Sequence, residues 1–174
     1  VEDAQKLAEN LGLQHSVIPI GDIYDSFSKG LEKEFKGKEK DITEENLQSR
    51  CRGVILMALS NKSGDLVLTT GNKSETAVGY STLYGDTAGG FGVLKDVPKT
   101  MVYELSRYRN TISKVIPERI IERPPTAELA PDQKDTDSLP DYDILDKIIE
   151  LYVEQDKSKE EIESLGTVSY THLR

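Results

Sequence analysis

A short apolar run from Leu66 stops abruptly in Thr69-Thr70-Gly71-Asn72, and a small polar loop carrying Lys73, Glu75 and several hydroxyls follows. A run this short, closed by Gly and Asn, reads as a buried strand over 66–69 rather than a helix. In an open α/β sheet, the loop leaving such a strand is where a ligand sits. Val17, Ile18 and Ile20 read as a second strand, with Pro19 placing it at an edge or strand end. Strands at 16–20 and 66–69 separated by helices predict βαβ units: an α/β fold with a parallel sheet and flanking helices. So few strands amount to half of a doubly wound sheet.

The helices follow from spacing and caps. Ala4, Leu7, Ala8 and Leu11 keep helical period, and Gly12 stands where a C-terminal glycine cap belongs. Asp22 is expected to cap a helix whose inner face is Ile23, Phe27 and Leu31. Thr43 is expected to cap the next, with Glu44 and Glu45 in its first turn and Gly64 near its end. Its apolar stripe is Leu47, Cys51, Val54, Ile55 and Ala58. Asn46, Arg50 and Gly53 form the adjacent stripe, so Asn46 and Arg50 project together. Pro98 and Lys99 open a helix expected to bury Met101, Val102 and Leu105. A short helical turn ends at Pro124-Pro125, and 130–140 is an acidic loop. A helix over 141–155 turns Ile144, Leu145, Ile148, Ile149 and Tyr152 inward, and Ser158 with Glu161 forms a capping box for a last helix ending at Gly166.

Length and charge narrow the function. The 174 residues suffice for one domain with a real core. With 30% charged residues and a net charge of −9, the chain suits neither a nucleic acid nor an anionic membrane, because no basic block is free of nearby acids. The single cysteine, Cys51, excludes an intramolecular disulfide and a multi-cysteine metal site, and its place on the apolar stripe makes it core. His15 and His172 are too far apart in sequence to suggest a zinc site or a triad. No run can span a bilayer, and no signal peptide leads the chain, so a reducing cytoplasmic compartment is expected.

From pattern alone the candidate groups keep two readings. Glu75 is an exposed loop carboxylate or a hard oxygen ligand of the kind Mg²⁺ takes. Arg50 pairs with Glu45 or Asp41, or receives a phosphate or carboxylate. Lys99 adds charge to the positive end of a helix, which is unfavourable unless an anion lies there. Gly85, Gly89, Gly90 and Gly92 suggest a phosphate cradle, but no strand leads directly into them and no Gly-Lys-Ser/Thr follows, so a plain loop is expected. Thr126 is a helix cap after two prolines or a ligand contact.

Four segments together settle the choice: ENLQSRCRG at 45–53, TTGNKSE at 69–75, GYSTLYGD at 79–86 and RPPTAEL at 123–129. They closely resemble the NAD synthetases, and among them the glutamine-dependent group. The resemblance implies an adenine-nucleotide α-hydrolase-like fold of the ATP pyrophosphatase type, here incomplete. It implies adenylation of deamido-NAD by ATP, with Mg²⁺, followed by amidation with ammonia supplied by glutamine or free. It places Thr70, Lys99 and Thr126 on ATP, Glu75 on Mg²⁺, and Asn46, Arg50, Glu75, Tyr80, Ser81, Thr82 and Leu83 on deamido-NAD. Leu83 stands where some ammonia-dependent members carry Lys, which leaves a backbone or apolar contact. The resemblance further implies a homodimer that builds the substrate site across its interface, and a glutaminase domain upstream.

The family's Ser-Gly-Gly-x-Asp-Ser pyrophosphate loop is nowhere in the 174 residues. The expectation is therefore a partial synthetase domain over 1–166, inactive by itself, with the missing loop preceding Val1 and a non-native tail at 167–174. The rival readings are another ligase of the ATP pyrophosphatase type, such as a GMP synthetase, and a degenerate nucleotide-binding or dimerisation module.

Overall fold

The computed structural model describes residues 1–130 and 132–166, so the expected tail at 167–174 lies outside the described residues. Three helices come first: α1 (Glu2–Leu11), α2 (Gly21–Phe35) and α3 (Ile42–Ser63). Strand β1 (Leu68–Thr69), the short helix α4 (Lys73–Ala77) and strand β2 (Phe91–Gly92) form the middle of the chain. Helices α5 (Lys99–Ile112) and α6 (Glu118–Glu122), a 3₁₀ turn at Asp135–Asp137, α7 (Tyr142–Ile149) and α8 (Lys159–Ser164) complete it.

The two strands pair in parallel, Leu68 opposite Phe91 and Thr69 opposite Gly92, as expected of an α/β architecture, but β1 is shorter than the 66–69 expected and is not buried, Leu66 and Leu68 being exposed. Strand β2 is a correction to the plain loop expected over the glycines. Those glycines let two backbones approach. A Cβ on Gly89 would lie 2.6 Å from Thr69 Cγ2 and 3.0 Å from the Val67 carbonyl oxygen. The Gly90 N–H donates to that same carbonyl at 2.9 Å. The expected strand at 16–20 is a second correction: these residues join no helix or strand, and Val17 and Ile18 are 53% and 44% exposed. A strand needs a ladder partner. No described residue pairs with this segment, and Pro19 has no N–H to offer.

Capping explains several helix ends. Gly12 and Gly64 close α1 and α3 in the left-handed conformation, as their sequence positions suggest. The N-cap of α3 is Asp41, not Thr43: the Asp41 carboxylate accepts from the Thr43 N–H at 2.8 Å, and Glu44 reaches back to the Asp41 N–H at 2.9 Å. Asp22 likewise falls inside the first turn of α2, whose cap is Ile20. Ser158 and Glu161 form the expected box on α8.

The core gathers around α7. Tyr142, Leu145 and Ile149 pack with Val78 and Leu139, while Ile148, Leu151 and Ile162 pack with Ile144. After Ile149 the helix widens into a π-helical turn over Glu150–Glu154. That turn alters the 3.6-residue register, so Leu151 is buried and Tyr152, expected inside, is exposed. On α5, Met101 and Leu105 are exposed rather than buried, and Val102, Tyr103 and Ser106 are among the half-buried positions, α5 having α4, α6 and α7 as helix neighbours.

Candidate functional site

The stripe of α3 that carries Asn46, Ser49, Arg50 and Gly53 meets the loop between α4 and β2. The buried Thr82 hydroxyl donates to Asn46 Oδ1 at 2.8 Å, and Arg50 Nε donates to the Leu83 carbonyl at 3.2 Å. Asp86 Oδ1 accepts from the Thr82 N–H at 2.6 Å, while the Asp86 N–H donates to Ser49 Oγ at 3.0 Å. Gly53 makes the close approach possible, since a Cβ there would lie 2.7 Å from the Tyr84 carbonyl oxygen. The pairing of Asn46 with Arg50 one turn apart thus locks a loop against a helix.

A second group forms where α4, α5 and α7 converge. Asn72 caps α4 by accepting from the Glu75 N–H at 3.0 Å, and Glu75 Oε2 accepts from the Asn72 N–H at 3.2 Å. The other Glu75 oxygen pairs with Lys99 Nζ at 3.0 Å, both side chains being about four-fifths buried. The Lys99 ammonium also lies 5.4 Å from the centre of the Tyr142 ring. Ser74 is fully buried; its hydroxyl accepts from the Lys99 N–H at 2.8 Å and donates to Asp146.

Between these groups lies a buried acid that the sequence left inside an acidic loop. Asp135 is 3% exposed; its Oδ2 accepts from the Tyr142 hydroxyl at 2.8 Å. Its Oδ1 is buried without a hydrogen-bond partner among the described residues. Burial first, and then the Asp135 charge, push the Tyr80 phenol up to about 12. Burial and the bond to Asp135 raise the Tyr142 phenol as well. Burial also raises the Cys51 thiol, which suits a core residue and not a nucleophile.

Three adjoining cavities run past these side chains. The first, about 310 Å³, is lined by Asn46, Tyr80, Ser81, Thr82 and Asp86 among others. The second, about 180 Å³, shares Tyr80 and Asp86 with it and adds Glu75, Lys99, Thr126 and Asp135. The third, about 440 Å³, shares Lys99 and Thr126 with the second and opens toward α1 and α6. The path has the form of a site for an extended ligand: a polar rim at one end, a carboxylate–ammonium pair in the middle, and a partly apolar pocket at the other.

The NAD synthase family model matches residues 1–173. The chain belongs to that family. Its relatives among NAD synthases include the glutamine-dependent NAD(+) synthetases of Acinetobacter baylyi, 58% identical over 168 residues, and of Thermotoga maritima, 57% identical over 168 residues. Each match takes in 95% of this chain but only 31% and 29% of those relatives, so the chain spans about three-tenths of their length. Among solved structures, the glutamine-dependent NAD+ synthetase of Acinetobacter baumannii in complex with ADP superposes with a TM-score of 0.69 at 49% identity, covering 95% of this chain and 29% of that one. The NMN synthetase of Francisella tularensis gives a TM-score of 0.76 at 26% identity, over 95% of this chain and 65% of the other.

Within this NAD synthase chain, Asn46, Glu75, Tyr80, Ser81, Thr82, Lys99 and Thr126 line the adjoining cavities. Thr70, Arg50 and Leu83 do not line those three. Thr70 is exposed just beyond β1, Arg50 is exposed on α3, and Leu83 is 62% exposed with its carbonyl held by Arg50. Sequence reasoning missed Ser49, Asp86, Asp135, Tyr142 and Asp146. Ser49 lies within ENLQSRCRG and Asp86 closes GYSTLYGD, so both could have been read from those segments; the others carry no local signal. No cluster of three or more metal-ligating side chains occurs among the described residues. No helix among them is long and apolar enough to cross a membrane.

Proposed function

We propose that the polypeptide carrying this chain amidates deamido-NAD to NAD at the expense of ATP, in the cytoplasm and as a homodimer, with ammonia drawn from glutamine. The observation that supports this most is the run of cavities that puts the Asn46–Thr82 rim, the Glu75–Lys99 pair and Thr126 along one path. In this reading deamido-NAD takes the rim, and ATP takes the middle and the far pocket. Family membership, relatives named as glutamine-dependent NAD(+) synthetases and a structural relative holding ADP favour it further.

Oxide is a poor leaving group, so a carboxylate must be activated before an amine can replace its oxygen. A nicotinate carboxylate oxygen attacks the α-phosphorus of ATP and pyrophosphate departs; ammonia then adds to the acyl carbon, loses a proton, and AMP leaves with the carboxylate oxygen. Lys99 meets the negative charge of the phosphates, and its low exposure keeps that attraction strong. Asn46 and Asp86 hold Thr82 still, so the rim is formed before the ligand arrives. Asp135 sits beside the junction with one oxygen unpartnered among the described residues, able to accept a hydrogen bond from a donor entering there. The donor set also fits Mg²⁺, which takes one or two carboxylates and fills its shell with phosphate oxygens and water. Glu75 would hold it, with Asp135 lining the same cavity. When bound, the ion supplies charge for the departing pyrophosphate.

The test is NAD formation by the intact polypeptide from ATP, deamido-NAD and ammonium or glutamine. NAD and AMP in equal amounts are expected; consumption of ATP without NAD, or neither, would overturn the reading.

A further inference from the structure

We infer that Asp146, which no sequence motif singles out, is a positioning residue that fixes Glu75 and Lys99 relative to one another. Helix α5 begins at Pro98, a cap without a side-chain acceptor, so its first N–H groups must find partners elsewhere. Two other elements provide them. The Lys99 N–H donates to Ser74 Oγ at 2.8 Å, and the Thr100 N–H donates to Asp146 Oδ2 at 2.9 Å. The Thr100 hydroxyl donates to the same oxygen at 2.8 Å, and the Ser74 hydroxyl donates to Asp146 Oδ1. One carboxylate on α7 therefore accepts three bonds, from α4 and from the first turn of α5.

The residues it ties are the neighbours of the pair that matters. Ser74 precedes Glu75, and Thr100 follows Lys99. The 3.0 Å Glu75–Lys99 contact spans two elements that are also joined just upstream, where the Lys73 N–H donates to the Val97 carbonyl at 2.9 Å; the knot adds the ties that flank the pair itself. The knot needs an acceptor at both ends. Asn at 146 offers a single oxygen: with Oδ1 on Thr100 its N–H₂ faces Ser74 Oγ, so the Ser74 O–H loses its acceptor and all three bonds lose the charge that shortens and strengthens them. A negative charge at this place also favours the N-terminus of α5. Asp146 touches no cavity of the site, so it acts on a ligand only through Glu75 and Lys99.

The inference rests on the ATP reading of Lys99 and Glu75, and the test keeps the two apart. In the intact polypeptide, Asp146→Asn is expected to lower kcat/KM for ATP on the order of tenfold to a hundredfold, as slight misplacement of binding groups does. The KM for ammonium should stay unchanged. Asp143→Asn, an exposed change on the same helix, should match wild type. Added to Lys99→Met, Asp146→Asn should cost less than threefold further, because the group it positions is already gone. Equal losses in both backgrounds, or a rise in the KM for ammonium as large as that for ATP, would make Asp146 merely structural and refute the inference. Wild-type protein that makes no NAD would refute the ATP reading instead. If Asp146→Asn does not fold, Thr100→Val removes the hydroxyl tie alone and should raise the KM for ATP; an unchanged KM refutes the inference.

Discussion

Replacing Glu75 by Gln separates two tasks that one carboxylate performs. The amide oxygen can still accept from the Asn72 N–H, so the cap on α4 survives. What is lost is the ion pair with Lys99, at 3.0 Å between side chains about one-fifth exposed. Exposed pairs contribute less than about 1 kcal/mol, and breaking fully buried ones costs roughly 3–5 kcal/mol. This pair lies between those cases and is open to a cavity, so a loss of about 1–2 kcal/mol is expected. In a domain this size that lowers Tm by roughly 2–8 °C, which leaves the protein folded at assay temperature. Activity should fall much further. If Glu75 holds charge that is needed as pyrophosphate leaves, its loss should cost on the order of 10²–10³ in kcat. Calorimetry gives the first number and release of AMP and pyrophosphate gives the second, both on the intact polypeptide. A Gln variant that melts as expected yet turns over like wild type at limiting Mg²⁺ would remove Glu75 from the metal role.

Other perturbations test the scaffold around it. Gly53→Ala puts a methyl group 2.7 Å from the Tyr84 carbonyl and 3.0 Å from that of Gly85, both backbone atoms, so it should destabilise the protein by about 1–3 kcal/mol in urea titration. A neutral outcome would mean that the loop is not seated on α3. Tyr142→Phe strips the Tyr142 hydrogen bond from the buried Asp135 carboxylate and should cost about 1–3 kcal/mol by the same method, with an unchanged midpoint contradicting the contact. The Tyr80 phenol, raised from 10.0 to about 12, keeps its proton longer in the folded state than in the unfolded one. Its contribution is whole below the unfolded value and disappears as pH rises through about 12, so stability should fall across that window and fall less steeply in Tyr80→Phe. Superimposable stability profiles for the two proteins would show that Tyr80 is not held in this way.

What could be read from the chain is what local order encodes. Gly12 and Gly64 mark helix ends because only a left-handed residue closes them cheaply, and Ser158 with Glu161 declares its box three residues apart. Asn46 and Arg50 could be paired because one helical turn separates them, and both do meet the loop after α4. The knot at Asp146 was invisible because Ser74 and Asp146 are 72 residues apart and Thr100 and Asp146 are 46 apart. Asp135 hid among acids that are mostly exposed, and burial is a property of the folded neighbours and not of the loop's composition. The segment at 16–20 failed for the converse reason: β propensity makes a strand only where a partner stands beside it. Tyr152 was lost to a π-helical turn, which no 3.6-residue pattern anticipates.

The proposed function turns on activation of a carboxylate at the α-phosphorus of ATP, at the junction of Tyr80, Glu75 and Lys99. Deamido-NAD labelled with ¹⁸O in its nicotinate carboxylate tests it directly when incubated with ATP, ammonium and the intact polypeptide. AMP should carry one labelled oxygen for each NAD formed, and pyrophosphate should be unlabelled. Label appearing in inorganic phosphate beside ADP, with AMP unlabelled, would contradict it.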